Sequence, residues 1–375
     1  MRLDARQGGY PSLRCGVEQP TPRIVMNGHP GTFFRGNFFR GELMGKHLRI
    51  ADSLAMACGA MFVGQLLAED RKPMKPTPEQ VKVIEEAFTN LGGHYFQFDD
   101  PQSKTFRYVF QLPGSTTDAD LKKLPTVQFP CILFLSYSKV TDAGLKHLTR
   151  LERLTGLYLL GTSVTDVGMK NIQKLKYLTV LHLGSTKVTD AGAKELKQLK
   201  QLTELDLGDT GVTDAGLQEL KELKQLTRLD LSNTQVTDAG LKQIKEFKQL
   251  ADLHIGFTKV TDDGLKELKG LKQITDLGLY DTAVTDAGLN ELKELKRLTW
   301  LHLRSTKITD AGLLNLQDLT RLTTLYLYDT KVTDAGLRIL KEFKQLTELG
   351  LGDTKVTDAG VKELQKALPK CEIHR

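Results

Sequence analysis

Leu202-Thr-Glu-Leu-Asp-Leu-Gly-Asp-Thr-Gly-Val-Thr-Asp-Ala-Gly-Leu-Gln-Glu-Leu-Lys-Glu-Leu-Lys-Gln225 holds a complete folding unit in 24 residues. Leu205 and Leu207 alternate with Glu204, Asp206 and Gly208, the period-two pattern of a short strand with one face inward. Thr210 fills a slot that holds Thr in nine successive units and Ser138 in the first. A small side chain there, with a hydroxyl able to satisfy a turn backbone group, suits the inside of a tight coil. Val212 points inward. Thr213 and Asp214 are both good helix N-cap types, and either suits the position. Leu217, Leu220 and Leu223 follow at helical spacing. Gly216 implies close packing against a neighbour, because Gly inside a helix otherwise costs up to ~1 kcal/mol.

Thr-Asp-Ala-Gly recurs from Thr141, Thr189, Thr213, Thr237, Thr285, Thr309, Thr333 and Thr357. Thr165 and Thr261 begin variants with Val167 or Asp263 in the Ala slot, and Thr117 begins a degraded copy with Asp120 replacing Gly. A strict 24-residue period means a solenoid, in which each unit buries its apolar face only against its neighbours. Strand, turn and helix in each unit predict an α/β class and a right-handed coil. Its parallel β-sheet lies on the concave face and its short helices on the convex face.

The pattern L-x-x-L-x-L-x-x-T-x-V-T-D-A-G-L-x-x-L resembles the leucine-rich repeats of the ribonuclease-inhibitor-like and cysteine-containing classes. It is similar, more closely, to bacterial leucine-rich-repeat proteins with tandem Val-Thr-Asp-Ala-Gly-Leu units, often behind a signal peptide and a helical cap. The resemblance covers residues 78–375, including Leu368-Pro-Lys-Cys-Glu-Ile, similar to the terminal strand of those proteins. It implies protein or ligand binding on the concave face and brings no catalytic residues. Thr stands in place of the class-defining Cys, and no F-box-like helical segment is present, so a ubiquitin-adaptor role does not carry over.

Residues 1–43 contain six arginines and no lysine and show no periodicity, which reads as a mis-called or disordered extension. Residues 44–68 have the layout of a signal peptide: Met44-Gly-Lys-His-Leu-Arg, then the apolar run Ser53 to Ala68. At 16 residues that run falls short of the ~20 needed for a stable membrane span. Export to the periplasm, cell envelope or medium is the expected localisation, with a cytoplasmic chain the alternative. Residues 69–77 read as a linker, 78–114 as a cap, 115–369 as repeats and 370–375 as a capping strand. In the cap, Glu79 to Leu91 reads as an amphipathic helix, with Val81, Ile84, Ala87 and Phe88 on one face, stopped by Gly92-Gly93. His94 to Asp99 and Phe106 to Leu112 read as strands around an Asp-Pro-Gln-Ser turn, with Val109, 24 residues before Leu133, in register with the repeat strands. Ile373 falls in register with Leu349.

The net charge of +6 resides in segments such as Lys194-Glu-Leu-Lys, solvated helix faces, and is no signal for nucleic acid. Four dispersed cysteines make no disulfide framework. Cys131 and Cys371, ten repeats apart, stand roughly 50 Å from each other at ~4.8 Å per strand.

The register lays exposed strand positions side by side. The column between the strand leucines runs Phe134, Tyr158, His182, Asp206, Asp230, His254, Gly278, His302, Tyr326, Gly350. The column before it includes Glu204, Arg228, Asp252, Asp276 and Trp300, and the column after it Tyr280, Arg304 and Tyr328. One cluster is acidic: Glu204, Asp206, Asp209, Asp230, Asp252, Asp276 and Asp281 around Arg228. It suits a basic partner and repels nucleic acid. The other is aromatic: Tyr280, Trp300, His302, Arg304, Tyr326 and Tyr328, with Arg304 between two tyrosines. Strands tolerate aromatics without any ligand, so these columns also fit a bare structural surface. His182, Asp206, Asp230 and His254 are metal-ligand types on consecutive rungs, yet parallel side chains converge poorly on a tetrahedron. No metal site is therefore assigned, and no cofactor. G-x-x-x-x-G-K-[ST], H-E-x-x-H and G-x-S-x-G are all missing, and an open sheet offers no dry carboxylate pair for glycoside chemistry. The expected function is a non-enzymatic module binding a protein or peptide, with a cell-envelope polysaccharide or a structural spacer role as alternatives. The export reading predicts that intact-mass measurement of the mature protein finds Glu69 as its first residue. A chain beginning at or before Met44 overturns it.

Overall fold

The computed structural model describes residues 76–100 and 105–375. The extension 1–43, the export segment 44–68, the linker up to residue 75 and the turn at Pro101–Ser103 lie outside the described residues.

A helix, α1 (Pro78–Thr89), opens the described chain. Thr77 and Gln80 cap it reciprocally, each side chain accepting from the other's backbone amide at 3.3 and 2.9 Å, and Pro78 occupies its first turn. Ile84 and Phe88 are its buried residues, and Phe88 stacks on Phe110 at 4.2 Å. Gly92, at φ +75°, ends the element in the left-handed conformation that Gly adopts freely. The strands β1 (His94–Asp100) and β2 (Thr105–Gln111) then pair antiparallel.

From β2 onward every pairing is parallel, between strands adjacent in sequence: β3 (Cys131–Phe134), β4 (Leu154–Tyr158), β5 (Val180–His182), β6 (Glu204–Asp206) and β7 (Arg228–Asp230). β8 (Asp252–His254), β9 (Asp276–Gly278), β10 (Trp300–His302), β11 (Thr324–Tyr326), β12 (Glu348–Gly350) and β13 (Glu372–His374) complete one 13-stranded sheet. A short helix beginning at the Asp of each Thr-Asp pair returns the chain along the convex side, as at Asp190–Leu196 and Asp214–Leu220. Leu205, Leu207, Val212, Leu217, Leu220, Leu223 and Leu226 are at most 1% exposed, so every apolar slot of the unit is filled. Each such leucine contributes about 1.5–3 kcal/mol by leaving water.

The register follows the 24-residue period from β4 onward, and Leu349 pairs with Ile373 as expected. The cap departs from it by one residue. Val109 pairs with Ile132, and Phe110 pairs with Leu133. A one-residue slip exchanges the two faces of a strand. Phe110 therefore enters the main core beneath Phe88, and Val109 turns to the concave side. There Val109, Ile132, Phe134, Tyr158 and Val180 form a second small core with Phe96 against it. Phe134 and Tyr158, expected on the exposed column, are thus buried.

The Thr-Asp pairs resolve into a ladder. Thr213 is the N-cap, its Oγ1 accepting from the Ala215 amide at 3.2 Å. Asp214 reaches instead into the next unit, where its carboxylate accepts from the Thr237 amide at 2.8 Å and the Thr237 hydroxyl at 2.7 Å. The same two bonds join Asp118 to Thr141, Asp142 to Thr165, Asp166 to Thr189, and so on to Asp334 and Thr357, at 2.6–2.8 Å throughout. Each Thr hydroxyl so donates to one repeat's Asp and caps its own helix.

The glycine of Thr-Asp-Ala-Gly makes room for that carboxylate. A Cβ on Gly192 would stand 2.6 Å from Asp166 Oδ1, to which the Gly192 amide donates at 2.9 Å. The neighbour inferred for Gly216 is likewise the Asp190 carboxylate, at 2.8 Å from its amide. In the first unit no Asp precedes Thr117, and Asp120 replaces the glycine. Asp120 Oδ2 accepts from both the Thr117 amide and the Thr117 hydroxyl, supplying from within the unit what a preceding Asp supplies elsewhere. At the other end Asp358 pairs with Arg375.

A second set of threonines works inside the turn. Thr162, Thr186, Thr210, Thr234, Thr258, Thr282, Thr306, Thr330 and Thr354 each donate to the carbonyl three residues earlier at 2.6–2.7 Å. Cys131 and Cys371 are buried free thiols, and burial pushes them up to about 12 and about 11.

In an ordinary helix Gly→Ala stabilises by about 1 kcal/mol. Gly192→Ala is expected to do the reverse here, lowering the urea midpoint, and to lose most of that penalty in an Asp166→Ala background. Additive effects of the two substitutions would separate Gly192 from the ladder.

Candidate functional site

Alternation aims three adjacent columns of side chains at the concave side, and pairing sets them rung against rung: Asp206 beside Asp230, Asp230 beside His254, Trp300 beside Asp276 and Thr324. Both expected clusters form, and they abut at β8 and β9.

On the acidic side, Arg228 Nη1 lies 3.0 Å from Asp252 Oδ2, and His254 Nε2 lies 2.8 Å from Asp252 Oδ1. His182 Nδ1 stands 3.5 Å from Asp206 Oδ2. Asp206 and Asp230 each accept a backbone amide two residues on, from Gly208 and Ser232, both at 2.8 Å. Burial opposes charge on His254, but Asp252 and Asp230 outweigh it and hold the imidazole above its ordinary value. Burial likewise opposes charge on Asp206, and there the His182 contact prevails and keeps the carboxyl low. Burial pushes Glu204 and Asp230 up, the latter also through the neighbouring Asp206 charge. His254 thus turns to Asp252, and the row His182, Asp206, Asp230, His254 does not converge. Among the described residues no group of three or more His, Cys, Asp or Glu is arranged to hold a metal ion.

On the aromatic side the rings form a continuous string. Tyr280 lies 4.9 Å from His302, Trp300 meets Tyr326 edge-on at 5.9 Å, His302 meets Tyr326 at 5.1 Å, and Tyr326 continues to Tyr328 at 5.7 Å. His254 joins it, 5.3 Å from Trp300. Tyr280 leans over Gly256, where a Cβ would meet its ring, and its hydroxyl donates to Ser232 Oγ at 2.8 Å. Tyr328 leans the opposite way, over Gly350 and Gly352. The two tyrosines flank the Arg304 rung and incline away from it. Tyr326 donates to Glu348 Oε1 at 2.6 Å.

Exposure divides the expected site. Tyr280, Trp300, Arg304, Tyr328, Asp206, Asp230, Asp252 and Asp276 are half-buried and reach solvent. Glu204, His302 and Tyr326 are buried at 5%, 3% and 6%, so they support neighbouring side chains and offer little surface of their own. Burial, with His254 and Arg304 adding like charge, depresses His302 to about 3.

The residue before each turn threonine was not recognised from the pattern. Tyr137, Ser185, Asp209, Asn233, Phe257, Asp281, Ser305, Asp329 and Asp353 all adopt φ of 51–59°, and Gly161 occupies the same slot. Asp and Asn tolerate this left-handed conformation. Asp209 and Asp281, read as part of the acidic cluster, are explained by it. Tyr137 and Phe257 are bulky residues there, each paying on the order of 1–2 kcal/mol in backbone strain. Both rings are exposed, and Phe257 stands edge-on to Tyr280 at 5.4 Å. The signal available in the sequence was an aromatic in a slot otherwise filled by Asp, Asn, Ser or Gly.

A family model described as a leucine-rich repeat region matches residues 115–372. No curated protein matches the chain. Among solved structures it is similar to the internalin InlC2 of Listeria monocytogenes, at 23% identity over 68% of this chain and 99% of that one, with a TM-score of 0.45. A leucine-rich-repeat protein of Leptospira interrogans follows at 21% identity, 71% and 75% coverage and TM-score 0.41. The internalin InlF of Listeria monocytogenes aligns at 19% identity, 82% and 98% coverage and TM-score 0.38.

His302 is buried neutral in the fold and protonates near its ordinary pKa once unfolded. The unfolded chain therefore binds the extra proton between about pH 6.5 and 3, and this contribution to stability is lost as pH falls through that window. His302→Phe is expected to lose less stability than the native chain between pH 6.5 and 5. The difference is about 1–2 kcal/mol in urea unfolding. Equal losses would remove His302 from the acid response.

Proposed function

The chain belongs to the leucine-rich-repeat family, and on that premise we propose a non-enzymatic interaction module that binds a protein or peptide on the concave strand face. The observation that carries this reading is the junction of the two clusters. A string of aromatic rings with half-buried Tyr280, Trp300 and Tyr328 borders half-buried carboxylates at Asp206, Asp230, Asp252 and Asp276. Aromatic and Arg side chains concentrate binding energy at protein interfaces, and a rim of one charge selects its complement. Tyr280, Trp300, Arg304 and Tyr328 supply the contact surface. Buried His302 and Tyr326 hold the rings in place, and Glu204 adds charge from beneath.

The convex side is a poor candidate. Several of its lysines pair with acids of the next repeat, as in Lys197–Glu219 at 3.5 Å and Lys224–Glu246 at 2.9 Å, on exposed helix faces. Such pairs are individually worth little. No helix among the described residues is long and apolar enough to cross a membrane. Export, read from residues 44–68, places the partner in the cell envelope or medium.

Affinity capture from native envelope extract with the full chain should recover a protein that Trp300→Ala, Arg304→Ala, Tyr328→Ala loses. Equal recovery by both chains defeats the concave reading, and displacement of the partner by envelope glycans points to a polysaccharide site.

A further inference from the structure

The acid cluster and the aromatic string meet at one side chain. His254 Nε2 lies 2.8 Å from Asp252 Oδ1, and its ring lies 5.3 Å from that of Trp300 at 42°. The rung between them is Gly278, which pairs with His254 on one side and with His302 on the other. A Cβ there would stand 2.8 Å from His254 Nδ1, so the glycine makes room for the imidazole to lie towards Trp300. An aromatic ring attracts a cation within about 6 Å, and a protonated His254 brings one to Trp300.

The groups around the imidazole come from four strands. Asp252 shares β8 with it. From β7 come Arg228, which holds the other Asp252 oxygen at 3.0 Å, and Asp230, paired directly with His254. β9 supplies Asp276, paired with Asp252 and accepting from the Thr275 hydroxyl at 2.6 Å, and Tyr280 follows in its turn. β10 supplies His302, edge-on to Trp300. Farther along, His182 answers Asp206 and lies against Tyr158 at 4.5 Å. Burial opposes charge on His254, Asp252 and Asp230 outweigh it, and the imidazole keeps its proton above the ordinary range. Arg228 stays charged throughout, whereas His254 can be discharged. The other rings beside Trp300 titrate elsewhere: His302 is depressed to about 3, and burial raises Tyr280 and Tyr326.

We propose that His254 is a proton switch for the concave face, its charge setting whether the surface beside Trp300 meets a partner with a compensating cation or without one. The inference rests on the concave-face reading and adds its control. With the proton on, His254 and Arg228 together answer Asp252, and Trp300 lies beside a positive ring. With the Nδ1 proton released to solvent, Nε2–H still donates to Asp252, so the fold keeps its bond while the face gains one negative charge. A carboxylate rim selects a cationic partner, so binding strengthens as pH rises through the His254 step and weakens on acidification. By linkage, a bound cationic partner lowers that step in return.

Trp300 is the single Trp of the chain and reaches solvent, so its emission reports the charge beside it. The test is quenching of Trp300 fluorescence in the full chain by caesium, by iodide and by neutral acrylamide, from about pH 5.5 to about pH 9 at fixed ionic strength. The ratio of caesium to iodide quenching should rise about twofold or more in one step above the ordinary imidazole value, with acrylamide quenching unchanged. His254→Gln, which keeps a donor for Asp252, should remove the step, and Asp252→Asn should move it to lower pH. Circular dichroism confirms each fold, and either variant decides if the other misfolds. A flat ratio in the native chain, a step that survives in His254→Gln or an unshifted step in Asp252→Asn overturns the switch. Affinity capture then joins it to binding. The partner that the Trp300, Arg304, Tyr328 triple variant loses should be recovered about fivefold better above the step than below it, and equally on both sides by His254→Gln. Equal recovery by the native chain on both sides overturns the switch and leaves concave binding standing. If the triple variant captures as well as the native chain, the concave reading fails and takes this control of binding with it.

Discussion

The carboxylate that leaves its own repeat to bind the next one governs this molecule. Each Asp of Thr-Asp accepts two hydrogen bonds from the following Thr, and that Thr hydroxyl caps its own helix. Charge-assisted bonds are about twice as strong as neutral ones, and an anion near a helix N-terminus is further favoured. Two bonds from one carboxylate to a backbone amide and a side-chain hydroxyl fix both the distance and the rotation between units. Hydrophobic burial alone is non-directional and would tolerate sliding. The ladder removes that freedom.

This constraint explains residues that otherwise look like separate preferences. Gly follows at the fourth position because the incoming carboxylate occupies the space of its Cβ. Where no carboxylate arrives, in the first unit, the glycine is gone and Asp120 makes the same bonds from inside. At the last unit Arg375 returns to Asp358. The degraded first copy and the Asp358–Arg375 pair thus both answer to the same carboxylate ladder. An array joined in this way presents concave columns whose rungs are held in strict register, the condition for side chains on different repeats to act as one surface.

Much of this was legible in the sequence. The period, the alternation of Leu205 and Leu207 and the helical spacing of Leu217, Leu220 and Leu223 dictate the solenoid, and equal repeat lengths set out the concave columns. The turn role of Thr210 followed from its size and hydroxyl. What the pattern could not carry was side-chain direction. Thr213 and Asp214 are equivalent as cap types, and only the neighbouring unit distinguishes them. In the cap, Val109 and Phe110 are both apolar, and a one-residue slip is invisible without the Phe88 contact that selects Phe110. Burial on the concave face was hidden for the same reason, since Tyr158 and His302 are enclosed by rings from adjacent repeats. The left-handed slot was readable in principle, but its Asp residues were taken for charge.

Nearly identical repeats act as an internal comparison. The slots of Thr213 and Asp214, which never vary, belong to the ladder, where the neighbouring unit determines the residue, and the slot of Thr210, with Ser138 its one variant, belongs to the turn. Slots free of that demand are the concave columns and the turn residue before each Thr. There the chain places its single Trp, the exposed Phe257 and the uninterrupted small residues Gly208, Ser232 and Gly256. Stability does not ask for a Phe at φ 51° when Asp holds the same turn without its apolar exposure. That departure acts against the fold and stands at the edge of the aromatic string, edge-on to Tyr280 at 5.4 Å, a position whose residue the neighbouring unit does not determine.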